Sequence, residues 1–182
     1  MNTSRSIGDR PLALAGYLRK AADLLLDTET AKDYDWSKCT RCNVGMLGRA
    51  ITGMDVDKFY NEIPRTGGTW SLKMLGVGVE DNVVVAQMLK AGIDPSDIEH
   101  LEFLCHPDLK RAEWSDTPKS LIFYQSAQAH YREVSNAVWY LLEWAKKIEA
   151  FHAERAAALQ PITLDHSLVT TQPCVACDTR EI

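Results

Sequence analysis

No apolar run in this 182-residue chain approaches the ~20 residues that a helix needs to cross a bilayer. A membrane-spanning helix is therefore not expected. Lysine and arginine form no basic stripe of the kind that neutralises phosphates, so nucleic acid is not an expected partner. Neither Gly-x-Ser-x-Gly nor His-Glu-x-x-His occurs, which leaves out the serine-hydrolase elbow and the zinc-protease helix. Arg65-Thr66-Gly67-Gly68-Thr69 lacks the lysine spacing of a phosphate loop and reads as a glycine turn. There is no internal repeat and no low-complexity tract. Asp9, Arg10 and Arg19 interrupt the N-terminal apolar residues, so no signal peptide is read there. The expectation is an intracellular, cytoplasmic protein whose thiols stay reduced.

What is present is ordinary globular material, 46% hydrophobic and 25% charged, enough for one domain with a real core. The formal net charge of -5 is concentrated between residues 77 and 118, where nine acids face three bases. This stretch reads as a solvated acidic surface, with a face for a basic partner as the rival. Residues 80–104 resemble a helix-turn-helix pattern, but Asp97, Glu99 and Glu102 on the second helix would repel phosphates. Five tryptophans are many for this length; Trp36 and Trp114, flanked by polar residues, are candidates for exposed anchors.

The periodicity predicts an all-α fold. Leu14, Leu18, Ala21 and Leu25 mark a helix over 11–27. A short helix follows over 44–52, with Asn43 as its cap and Gly53 as its stop; Gly45 and Gly48, three apart, suggest close approach of another element. Asp55 caps a helix ending before Pro64, a helical turn is expected over 69–75, and Gly92 closes a helix over 80–91. Ser96 with Glu99 suggests a capping box for a helix through Leu104. The longest element is expected over 126–159, where Ala127, Tyr131, Val134, Val138, Leu141, Ala145 and Ile148 form a heptad seam. The expected organisation is a flexible N-terminus (1–10), a helical bundle (11–160) built around that long helix, and an extended, cysteine-containing tail (161–182).

Chemistry points to the cysteines. Cys39/Cys42 and Cys174/Cys177 are two Cys-x-x-Cys pairs, and Cys105 stands beside His106. Two intervening residues let both sulfurs face one metal ion or each other. Four thiolates from Cys39, Cys42, Cys174 and Cys177 would suit tetrahedral zinc and tie the tail to the loop before the second helix. A lower-ranked set is Cys39, Cys42, Cys105 and His106. A redox dithiol at Cys39/Cys42 is a further alternative, with Arg41 favouring thiolate, and burial as small apolar side chains is the plain one. Glu149-x-x-His152, Asp97-x-x-His100 and His130-x-x-Glu133 pair a carboxylate with an imidazole one turn apart, but only one is a true Glu-x-x-His of the di-iron type. Glu149 is read instead as a surface partner of Lys146 or Arg155.

These readings converge on a small intracellular interaction or regulatory protein with a structural cysteine-ligated zinc site, bound to a protein partner or self-associating. The rivals are a thiol- or metal-dependent enzyme centred on Cys39 and Cys42, with His106 or His152, and a purely structural bundle without metal.

Overall fold

The computed structural model describes residues 6–27, 31–64, 70, 82–109, 111 and 130–159. Among these the fold is all-α: α1 (Leu12–Leu26), α2 (Asn43–Thr52), α3 (Val56–Glu62), α4 (Val83–Lys90), α5 (Pro95–Phe103) and α6 (Val134–Ala158), with 3-10 turns at Pro107–Leu109 and His130–Arg132. None of the described helices is long and apolar enough to cross a membrane. The turn expected over 69–75 lies outside the described residues except for Trp70, and the tail from residue 160 lies wholly outside them.

The longest helix pairing is between α1 and α6. Leu14, Leu18, Ala21, Ala22 and Leu25 of α1 are buried, as are Val138, Leu141, Trp144, Ala145 and Ile148 of α6. The alanines let the two backbones approach, and Arg19 closes the exposed edge with a two-pronged contact to Glu149 at 2.9 and 2.6 Å. Glu149 thus pairs across the bundle, not with Lys146 or Arg155. Helix α2 packs on α1, α4 and α5, and α3 packs on α4.

The glycines of α2 do mark a close approach. A Cβ on Gly45 would lie 2.2 Å from the Cys39 carbonyl oxygen, and one on Gly48 would lie 2.6 Å from the Phe59 ring.

Three helix starts differ from expectation. Helix α6 begins at Val134, after the 3-10 turn at His130–Arg132. The carbonyls of His130 and Tyr131 accept from Asn136 Nδ2 (3.0 Å) and Tyr34 Oη (2.9 Å), so side chains take the place of the amides four residues on. Helix α5 is capped by Asp94, not Ser96, and its capping box is completed by Asp97, not Glu99. Pro95 at the first position has the helical φ preset and no N–H to satisfy. Helix α2 is capped by Cys42, because Asn43 is turned to a distant helix end.

Residues 6–10, read from sequence as part of a flexible N-terminus, are held against α5 and α6. The Ile7 carbonyl accepts from Trp144 Nε1 at 3.2 Å, and the Arg10 carbonyl lies 2.7 Å from His152 Nε2. Arg10 Nη2 reaches Asp97 Oδ1 at 2.7 Å and Asp94 Oδ2 at 2.9 Å. Asp97 and Glu102 are both buried, so the acidic stretch is not a uniformly solvated surface.

Candidate functional site

The Cys39–Cys42 turn sits between the end of α1 and the start of α2. Asp35 organises it: its Oδ1 accepts from Ser37 N (3.0 Å) and Ser37 Oγ (2.6 Å), an Asx-type turn. The Lys38 carbonyl then accepts from both Arg41 N (2.9 Å) and Cys42 N (3.0 Å), which closes the turn that carries the two cysteines. Burial pushes Tyr34 up and favours its neutral hydroxyl, which donates to the Tyr131 carbonyl.

Cys42 is only 2% exposed. Its Sγ accepts from Gly45 N at 3.3 Å, capping α2, and lies 3.8 Å from the Cys39 carbonyl oxygen. Burial pushes the Cys42 thiol up to about 12, partly offset by the Gly45 N–H. At neutral pH it is a protonated thiol that donates to one backbone group and accepts from another. Cys39 is half-buried, and its carbonyl also accepts from Trp70 Nε1 at 3.1 Å.

The turn is fastened to the end of α5. A helix end leaves carbonyls without intrahelical donors, and here three of them meet side chains from elsewhere. Asn43 Nδ2 donates to Leu101 O, Trp36 Nε1 donates to Glu102 O at 2.8 Å, and His130 Nε2 lies 3.1 Å from Phe103 O. Trp36 is thus half-buried, its ring packed on Tyr131 (4.7 Å) and Phe103 (5.8 Å), not an exposed anchor. Trp114 lies outside the described residues. The buried Glu102 carboxylate accepts from Trp70 N at 3.1 Å.

Cys105 and His106 follow directly after α5. His106 is 5% exposed. Its Nδ1 accepts from Asp108 N at 3.1 Å, and its ring meets His100 edge-on at 4.8 Å. Burial, then the neighbouring His100, lowers its pKa and keeps it neutral, the state in which Nδ1 can accept. Asp97, paired on paper with His100, is instead engaged by Arg10.

Among the described residues no three His, Cys, Asp or Glu side chains come together in a group able to hold a metal. Cys39 and Cys42 are therefore not joined by Cys105 and His106 into one such group. The pair Cys174/Cys177 lies outside the described residues. What the sequence reading missed is the capture of the α5 end by Asn43, Trp36 and His130, and the Arg10–Asp97 pair. Neither leaves a local signal, since the partners are 27 to 87 residues apart. The chain matches no known protein family, and no similar curated protein or solved structure is found.

Proposed function

We propose that this chain is a small cytoplasmic interaction or regulatory protein, bound to a protein partner or self-associating, in which the Cys39–Cys42 turn has a structural role. In this reading Cys39, Cys42, Cys174 and Cys177 hold one zinc ion. The observation that carries the structural role is Cys42, whose buried thiol is pushed up to about 12 while its sulfur caps α2. A thiol enzyme needs a thiolate near neutral pH, and this environment works against one at Cys42.

Zinc binding requires both thiols to lose their protons, and the charge of the metal supplies the stabilisation that burial removes. The Gly45 N–H aimed at Cys42 Sγ would support a metal-bound thiolate in the same position. Cys39, only half-buried, keeps one side of the turn accessible.

The test is native mass spectrometry of reduced protein, before and after chelation, beside a Cys39→Ser/Cys174→Ser variant. One zinc per chain in the wild type and none in the variant is the expected result. Equal zinc in both would remove the metal from the proposal. Rapid alkylation of Cys39 or Cys42 at about pH 6 would favour the thiol-enzyme reading instead.

A further inference from the structure

The segment leading into Cys39 forms one wall of an open groove of about 290 Å³. Lys32, Lys38, Arg41 and Arg132 line it together with Asp33 and Asp35. In a chain with formal net charge -5, the described lining of this groove carries more cations than carboxylates.

The groove has a fixed floor and adjustable walls. Trp36 is anchored through Nε1 to the α5 end, Tyr34 is anchored through its hydroxyl to Tyr131 O, and the Arg132 guanidinium lies 5.1 Å from the centre of the Trp36 ring. Lys38 and Arg41 are held by ion pairs at the surface. Lys38 Nζ is 3.2 Å from Asp35 Oδ2, and Arg41 Nη1 is 3.3 Å from Asp33 Oδ1, with Lys38 and Asp33 largely exposed. Exposed pairs of this kind hold weakly, and an incoming anion can replace the carboxylates in them.

We propose that this groove binds a phosphate monoester. Four cations line the groove among the described residues, and a phosphate monoester, which carries about -1.5 to -2 at neutral pH, can engage more than one of them at once. Two of the cations are guanidinium forks, whose planar donors fit phosphate oxygens. The size fits a head group, since pockets that enclose a drug-sized ligand run from about 300 to 1,000 Å³. The phosphate can come from a small phosphorylated molecule or from a phosphorylated side chain of a partner protein; the second source deepens the interaction reading above and rests on it.

The experiment is isothermal calorimetry on the full chain with O-phosphoserine, a phosphoserine peptide and its unphosphorylated counterpart, using wild type, Arg41→Gln and Asp33→Asn. Saturable binding of a phosphorylated probe is expected, weakened about tenfold by Arg41→Gln. Asp33→Asn removes the carboxylate that competes for Arg41 and should tighten binding, which keeps the test decisive if Arg41→Gln fails to fold. A peptide that binds more tightly than O-phosphoserine identifies a protein partner; equal affinities identify head-group recognition alone. The proposal is overturned if neither phosphorylated probe outcompetes the unphosphorylated peptide, or if Asp33→Asn binds like the wild type. Zinc content of the same samples separates failure of the groove from failure of the zinc-based reading.

Discussion

Arg10 and Asp97 meet at 2.7 Å across 87 residues of sequence, and both side chains are almost wholly buried. This pair joins the N-terminal segment to the start of α5. Arg10→Ala would leave the Asp97 carboxylate buried without its main cation. The expected cost is about 3–5 kcal/mol in urea denaturation. A double change, Arg10→Met with Asp97→Leu, should recover most of that loss, because replacing both charges by apolar volume removes the uncompensated one. A double variant no more stable than Arg10→Ala would show that the pair contributes more than charge compensation.

The same site gives a pH dependence of defined sign. Burial, the largest influence, outweighs Arg10 and the Asp94 N–H and pushes Asp97 up to about 6 from 3.8. The folded state then binds this proton more tightly than the unfolded chain. The stability it contributes is present below the unfolded value and lost as pH rises through about 6. Asp35, Asp94 and Glu149 are lowered, so their contributions run the other way and are lost as pH falls. Measured against Asp97→Asn, which cancels those shared terms, the wild type should lose stability between about pH 4 and pH 7. A gain over that window would mean that Arg10 dominates.

Gly92 and Leu104 end their helices with the same turn. In each, the next residue's N–H bonds to the carbonyl five residues back (Ile93 to Met88 at 3.1 Å, Cys105 to His100 at 3.0 Å), and both turn residues have positive φ, 96° and 48°. Gly92 suits this doubly, since a Cβ there would lie 2.5 Å from Pro11 Cδ. Leucine at positive φ costs about 1–2 kcal/mol, and here its side chain is fully buried. Leu104→Ala should cost about 2–5 kcal/mol. Leu104→Gly should cost about 1 kcal/mol less, though it removes more side chain, because it releases the backbone. Thermal unfolding of the two variants gives the order.

In zinc-free protein, Cys42→Ala should destabilise by roughly 1 kcal/mol more than Cys42→Ser, since serine retains an acceptor for Gly45 N and a donor for Cys39 O. In the same zinc-free protein, folded and at neutral pH, Cys39 should alkylate while Cys42 stays protected by burial and protonation. Equal labelling of both would show that the turn opens readily.

Helical character was legible residue by residue. The repeats Leu14, Leu18, Leu25 and Val138, Leu141, Ala145, Ile148 are on buried faces, and Gly53, Asp55 and Gly92 stand at the helix ends expected of them. Gly45 and Gly48 announced a close contact without naming Cys39 and Phe59 as its other side. All of these signals act within about one helical turn, where chain connectivity alone fixes which groups are neighbours.

Where several partners compete for one polar side chain, only the tertiary structure decided. Asn43 was expected to cap its own helix but satisfies the end of α5, and Asp97 turned from His100 to Arg10. The cationic groove was invisible for the same reason: Lys32, Lys38 and Arg41 alternate with acids, and Arg132 arrives from the far end of the chain. A buried polar group must be satisfied by whichever donor or acceptor packing brings within reach. That choice depends on the whole fold, so the sequence determined the helices and their apolar faces, and the packed structure determined their polar connections.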